Sequence, residues 1–499
     1  MLFNSYDFLI FFPIVVFAYF IIPQRFRYIW LLITSYYFYM GWNARYALLL
    51  LTSTVITYVS GLMISAIQGK YKENVRRMTM LKKIVVAVSF ISNLSILFFF
   101  KYFDFAVMNI NRVLSILNVE LITTHFDVLL PVGISFYIFQ ALSYTVDVYR
   151  GDIYAEKNFL KYALFVSFFP QLVAGPIERS KNLLRQLNEE HRFSYENMCD
   201  GLMLMIWGYF MKLVIADRIA ILVDKVYAPD AMYDGIYVLI ASVLFAVQIY
   251  CDFAGYSTIA IGAAKVMGFE LMENFNCPYL STTVSEFWRR WHISLSSWFR
   301  DYLYIPLGGN RKGTVRKYLN TMIVFGVSGL WHGAQWSYVV WGGLNGLYQV
   351  IGSIMMPIRK RLGEKWPRLE KSMITKIARI VVTFILVDFT WIFFRANSLK
   401  DGIVLVRRIL DMNNPQLLAN GTILDLGLNI QNFVVLGIAI VILMIADIAK
   451  YNHIKVREVI LKSNILIRWT TIMMAIVSIL IFGIWGSGYQ ETVFIYFQF

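Results

Sequence analysis

Charge is scarce in this chain. Asp, Glu, Lys and Arg make up 15% of its 499 residues, whereas 58% are hydrophobic and 17% aromatic. A soluble enzyme of this length needs far more charged surface, so that class is excluded and a polytopic membrane protein is indicated. Acidic residues are the scarcer sign, 31 against 46 Lys and Arg, for a formal charge of +15. The basic excess sits in short loops between apolar runs, which is the positive-inside pattern of a membrane protein rather than a nucleic-acid surface. Three widely spaced cysteines, Cys199, Cys251 and Cys277, give neither a disulfide framework nor a metal signature. Also missing are a Walker loop, a dinucleotide-binding glycine fingerprint, a histidine–glutamate zinc motif and a Gly-x-Ser-x-Gly elbow. No composition break, solenoid repeat or low-complexity tract appears, so a single integral membrane unit over 1–499 is expected. The first hydrophobic run lacks a basic leader and a cleavage site, and is expected to remain as an anchor.

Apolar runs begin near Tyr6, Phe26, Tyr46 and Ile84. The loop from Gln68 to Lys83 carries Lys70, Lys72, Arg76, Arg77, Lys82 and Lys83 against Glu73, and is placed in the cytoplasm. Counting from there puts both termini outside, with about 11–12 helical crossings in all. A fifth span covers Leu129 to about Val148. The run from Lys161 to Pro176, broken by Pro170, Gly175 and Pro176, is expected to be re-entrant, because irregular backbone at membrane depth must be buried in protein or line a cavity. Lys212, Asp217 and Arg218 lie in the span that starts near Gly201; they read first as a group snorkelling at the interface, alternatively as part of a polar conduit. A long run from Ile236 to Phe269 is interrupted at Tyr250 to Ser257, where Asp252 either caps a broken helix or belongs to a site. Arg359 to Arg379 marks another inner loop, and Ala396 to Gln431 is the longest polar segment, outside by count.

Two histidine segments organise the rest. From Ser285 to Asp301 the spacing predicts one amphipathic helix, with Trp288, Trp291, His292, Leu295, Trp298 and Phe299 on one side. Arg289, Arg290, Ser294, Ser297 and Asp301 fall on the other, an arrangement suited to a water–hydrocarbon boundary. His332 follows in an apolar stretch with Trp331 before it, predicted to lie near the junction of two close-packed spans between Tyr318 and Met356. Gly326, Gly329, Gly333, Gly342, Gly343 and Gly346 are expected to let those backbones approach. A histidine bonded between helices is one reading of His332; acid/base chemistry at membrane depth is the other, favoured by the second histidine beside a tryptophan.

Several segments make the second reading specific. Phe168 to Ile177, Gln248 to Ser257, Glu273 to Tyr279, Ser285 to Arg311 and Gly329-Leu-Trp-His-Gly-Ala together resemble the membrane-bound O-acyltransferase family. The closest branch is the bacterial one that holds the alginate and peptidoglycan O-acetylation membrane subunits and the D-alanyl teichoic acid transfer protein. The resemblance runs essentially end to end, with core motifs at 168–346. It implies an all-α helical bundle with a central funnel, in which His332 matches the catalytic histidine and His292 the second family histidine. Trp288, Arg289, Arg290, Trp331, Asp252 and Gln248 become candidates for substrate or donor binding. No bound cofactor or metal is implied; the donor would be a cytoplasmic thioester, acetyl-CoA or an acyl-carrier protein. The acyl group would pass outward to an extracytoplasmic polysaccharide, with a separate transferase or hydrolase-like partner, in a bacterial cytoplasmic membrane. In the tail, 487–499, Tyr496 matches a tyrosine implicated as acyl acceptor; alone, an aromatic tail is an interfacial anchor. D-alanyl transfer to teichoic acid is the alternative chemistry, and transport of a lipid-linked saccharide the alternative without chemistry.

Overall fold

A computed structural model describes the chain except for residues 124–130, 174, 230, 413–421, 486–494 and 496–499, and the side chains of 422 and 425. Tyr496 and its neighbours Phe494, Phe497 and Phe499 thus lie outside the described residues, as do Leu129 and Asp230. The described chain is helical, with no strand among those residues. Among the described residues, six helical runs are long and apolar enough to cross a membrane: Tyr46–Lys70, Val75–Ile116 (with a π segment at Phe98–Tyr102), Gly235–Val266, Met373–Arg395, Ile430–Tyr451 and Ile465–Phe482. A shorter apolar helix, Tyr6–Ile21, begins behind Ser5, whose hydroxyl accepts from the Phe8 N–H. The protein is an all-helical membrane protein.

Two compact units divide these helices. The first contains Met1–Leu202 and Ile259–Met272, the second Met203–Thr258 and Glu273–Phe499. In the first, the broken stretch expected at Lys161 to Pro176 is found as a helix over Phe159–Ser167 and a single turn over Phe169–Leu172. Ending a helix inside protein orphans its last carbonyls, and here two buried amides meet one of them. Gln140 and Gln171 both donate to the Phe165 carbonyl, at 2.6 and 2.9 Å. Gly133 stands at φ 74° beside this turn, where a Cβ would come within 2.8 Å of the Leu172 carbonyl oxygen.

The inner loop read from Gln68 to Lys83 is much shorter than its charge pattern implied. Helices occupy Tyr46–Lys70 and Val75–Leu97, leaving only residues 71–74 between them. The basic residues ride on helix ends, and Lys82 is buried with its ammonium 5.2 Å from the centre of the Tyr149 ring.

The Gly235–Val266 helix is unbroken, so Asp252 is not a cap at an interruption. The interruption falls elsewhere. Between the helices Tyr195–Tyr209 and Asp217–Val226, residues Phe210–Ala216 form a π segment. Gly255 lies against it: a Cβ there would meet the Gly208 carbonyl oxygen at 2.9 Å and the Lys212 nitrogen at 3.3 Å. Helices Thr314–His332 and Trp336–Lys365 pack as the predicted close pair, His332 closing the first of them. The glycines are not equivalent. A Cβ on Gly329 or Gly342 would strike the backbone carbonyl of Tyr338 or Phe325, and one on Gly333 the Tyr338 ring. Gly346 sits 3.1 Å from Met322 and Phe325 by the same measure, but Gly326 and Gly343 face open space and take no part in the contact. The polar segment after Ala396 is also partly helical, over Leu399–Leu410.

Candidate active site

The predicted helix from Ser285 to Asp301 is two helices, Val284–Arg290 and Ile293–Phe299, broken at Trp291 and His292. His292 sits at φ 45°, a left-handed conformation that a non-glycine residue adopts only when its surroundings hold it there. Those surroundings are the segment Glu273 to Tyr279. The Asn276 N–H donates to the Arg290 carbonyl at 2.9 Å, and the Arg290 guanidinium returns a bond to the Asn276 carbonyl at 3.2 Å, closing the first helix. The Asn274 carbonyl accepts from the Ile293 N–H at 3.0 Å. Its side-chain oxygen accepts from the Ser294 N–H at 3.2 Å and the Ser294 hydroxyl at 2.9 Å. Two asparagines therefore supply at the break what an uninterrupted helix would have supplied internally. The start of the first helix is fixed by Thr283, which accepts from the Glu286 N–H, while Glu286 accepts from the Thr282 N–H.

Kinking the chain here turns His292 inward. Its ring lies 4.6 Å from Phe253 and 6.2 Å from Trp331, centre to centre. His332 arrives from the end of the Thr314–His332 helix, its ring centre 6.5 Å from that of His292. Trp331 and Trp341 each stand 4.9 Å from the His332 ring, edge to face, and Phe394 stands at 5.4 Å. Both histidines are buried, 1% and 4% exposed. Two imidazoles from segments forty residues apart thus share one aromatic enclosure, buried from solvent.

The other predicted site residues divide. Trp331 touches both histidines. Trp288 is buried, but its indole N–H is committed to Asn345 at 3.1 Å, and Asn345 in turn donates to Thr390 and the Trp341 carbonyl. That network pins the wall of the enclosure. Arg290 is engaged with Glu286, Asn276 and the Tyr451 ring, 5.0 Å away, whereas Arg289 is exposed. Ser294, expected on the polar face, is fully buried because Asn274 holds it. Gln248 is buried one turn before Asp252, and among the described residues its side-chain oxygen has no hydrogen-bond partner.

Lys212, Asp217 and Arg218 do not snorkel. Lys212 reaches Asp217 at 2.8 Å and Asp252 at 2.6 Å, with all three side chains at most 5% exposed. The π segment makes the first contact: the Asp217 N–H bonds to the Lys212 carbonyl five residues back, stacking the two residues. Arg218 donates to Asn432, to the Val214 carbonyl and to the Phe482 carbonyl.

Sequence reasoning gave no role to Asn274, Asn276, Asn345, Trp341 or Phe394. The alternating asparagines of Glu-Asn-Phe-Asn were a usable signal, since such residues favour caps and turns over helix interiors.

Comparison with known proteins gives the family. A model described as the MBOAT, membrane-bound O-acyltransferase family, matches residues 2–390. The probable alginate O-acetylase of Pseudomonas aeruginosa is 39% identical over 404 residues, covering 80% of this chain and 73% of that protein. The peptidoglycan O-acetyltransferase of Helicobacter pylori is 32% identical over 452 residues, covering 84% and 81%. The teichoic acid D-alanyltransferase of Bacillus subtilis is 26% identical over 282 residues, covering 52% and 68%. With the family pattern spanning most of its length and relatives matched across most of both chains, this protein belongs to the membrane-bound O-acyltransferase family and is an acyltransferase of the membrane.

Proposed function

We propose that this enzyme takes acetyl from a cytoplasmic thioester, acetyl-CoA or an acylated carrier protein, and delivers it outward to hydroxyls of an extracytoplasmic polysaccharide. The observation that carries the proposal is the pair of buried imidazoles in one aromatic enclosure, ring centres 6.5 Å apart. His332 is the general base. It takes the proton of an attacking hydroxyl as the new C–O bond forms, and gives it to the departing thiolate as the C–S bond breaks. His292 orients the donor or shares the proton, and Trp331 forms the wall between them. Tyr496 is the first acceptor. Its phenol is a weak nucleophile at neutral pH and needs such a base. An aryl ester is a better leaving group than a sugar ester, so onward transfer to a polysaccharide hydroxyl is downhill and returns the proton to the phenol oxygen. Arg289, exposed beside the enclosure, is the contact for an anionic donor. The membrane is the bacterial cytoplasmic membrane, and a separate extracytoplasmic transferase completes delivery to the polymer.

Acetyl is favoured over D-alanyl because the relatives named for O-acetylation are more similar over more of the chain. The test is His332→Ala in membranes given radiolabelled acetyl-CoA. Loss of a general base lowers transfer by about 100- to 10,000-fold, while the variant should elute as a folded protein in detergent. Near-normal turnover in the variant would remove His332 from the mechanism.

A further inference from the structure

A buried polar group without a partner lowers stability, so each one that a fold retains asks for a reason. One lies in the wall of the enclosure, on Trp341. Its side chain is 1% exposed, and among the described residues its indole N–H has no hydrogen-bond acceptor. The neighbouring indole shows that an acceptor is within the fold's means. Trp288, whose ring centre is 5.6 Å from that of Trp341, donates its N–H to the Asn345 side chain at 3.1 Å. Asn345 turns its amide to the backbone carbonyl of Trp341, at 2.9 Å. The same asparagine that satisfies one tryptophan side chain therefore leaves the N–H of the other open.

The place of that N–H matters. The Trp341 ring stands 4.9 Å from the His332 ring, edge to face at 86°. It is also firmly held. Phe394 and Trp391 close on it at 5.1 and 5.8 Å, and Gly342, next in sequence, is in close contact with the backbone of Phe325 and Gly329. An acyl transfer needs such a donor. When a hydroxyl oxygen adds to a thioester carbon, the carbonyl π pair moves onto its oxygen, and in a buried aromatic enclosure a fixed protein donor must meet that charge.

We propose that Trp341 is a catalytic residue: its indole N–H donates to the thioester carbonyl oxygen beside His332 and holds the negative charge of the tetrahedral intermediate. The inference rests on the reading of His332 as the base of this transfer. His332 takes the proton of the attacking hydroxyl as the C–O bond forms, and the carbonyl electron pair goes to the oxygen that Trp341 binds. The pair then returns to the carbonyl as the C–S bond breaks, and His332 gives its proton to the thiolate. Trp341 gains and loses no proton. Because its ring is fixed before the substrate arrives, no reorganisation is needed as the charge appears. Trp391 supplies the comparison. Its indole N–H is equally buried and without an acceptor among the described residues, but its ring meets Trp291, Trp341 and Phe394 and not His332.

Three variants separate the donor from the packing, each in the full-length protein in native membranes given radiolabelled acetyl-CoA. Trp341→Phe deletes the N–H and part of the ring. Benzothienylalanine at position 341 keeps the bicyclic shape and puts sulfur where the N–H stands, so it isolates the donor even where the phenylalanine variant fails to fold. Trp391→Phe removes the same ring volume without touching the donor. Both changes at 341 should lower kcat by about 100- to 1,000-fold with the KM for acetyl-CoA unchanged, and Trp391→Phe should stay within a few-fold of the wild type. Binding supplies a readout apart from turnover. A trifluoromethyl-ketone analogue of acetyl-CoA, whose hydrate carries oxygen where the intermediate does, should lose affinity by a similar factor in the benzothienylalanine protein. S-ethyl-CoA, which has no carbonyl, should bind as it does to the wild type. Wild-type kcat with benzothienylalanine at 341 would overturn the donor, and alongside an inactive His332→Ala would leave the base standing. Equal losses in Trp341→Phe and Trp391→Phe, with the benzothienylalanine protein active, would assign the effect to packing. A raised KM with kcat kept would make Trp341 a contact for the ground state only and also defeat the proposal. Full activity of His332→Ala would remove acyl transfer from this enclosure, and the role of Trp341 with it.

Discussion

If the left-handed turn at His292 is held by Asn274, replacing that asparagine should loosen the enclosure without touching either histidine. Asn274→Ala removes two hydrogen bonds to Ser294, from its N–H at 3.2 Å and its hydroxyl at 2.9 Å. Ser294 is fully buried, so neither donor regains a partner from water. Each buried donor left stranded costs about 1–3 kcal/mol, so the two together give a loss of about 2–6 kcal/mol. Part of that is local: with the second helix uncapped, His292 is free to relax from φ 45° toward ordinary helical values, turning its ring away from Phe253 and Trp331. Asn274→Asp keeps the acceptor and is the matched control. Thermal unfolding in detergent, followed by fluorescence-detected gel filtration, should show Asn274→Ala melting several degrees lower and Asn274→Asp close to the wild type. Acetyl transfer at a temperature where all three are folded should fall by at least about tenfold in Asn274→Ala, the cost of a displaced catalytic group. An Asn274→Ala protein with wild-type melting and wild-type transfer would refute the clamp.

Two further outcomes follow from packing and from loop charge. Gly342→Val drives a side chain into the Phe325 carbonyl and the Gly329 backbone, and should destabilise the protein by about 1–3 kcal/mol or prevent its folding; Gly343→Ala, which faces open space, should melt like the wild type in the same assay. Single cysteines at the exposed positions Lys72 and Lys365 should resist an impermeant thiol reagent in intact cells; one at Asp230, in the run Asp224 to Gly235 whose three aspartates against one lysine suit the outside, should react. The native cysteines are all buried and give little background; labelling in the opposite sense would reverse the orientation and the side from which the donor arrives.

The two histidines were legible because each broke a local pattern, a titratable ring on an aromatic face and another in a glycine-rich apolar run. The turn that presents His292 was not. Ser285 to Asp301 contains neither glycine nor proline, and its apolar spacing fits one continuous helix. The break is imposed from outside by Asn274 and Asn276, a tertiary constraint that overrides local propensity. Lys212 and Asp217 were misread for a related reason. Five residues apart, they are not neighbours on an α-helix, where partners stand three or four apart. Only the π geometry stacks them, and nothing in Phe-Met-Lys-Leu-Val-Ile-Ala announces it. The third member, Asp252, lies forty residues further on, too distant for periodicity to pair. The inner loop at Gln68 was overdrawn because positive charge reports the membrane face, not where a helix stops.

The π segment from Phe210 to Ala216 also has a meaning in terms of chain length. A π turn is what a helix makes of one surplus residue when both of its ends are already fixed. Deleting a single residue there would let an ordinary helix run through with both flanks still in register, because only the surplus is removed. Lys212 and Asp217 would then stand four apart and remain neighbours on one face. Forcing α geometry on the segment at its present length would instead rotate every side chain beyond it by about 100°, and would carry Asp217 and Arg218 off Lys212 and the Phe482 carbonyl together. The wide turn is therefore what lets both ends of this helical run keep their partners.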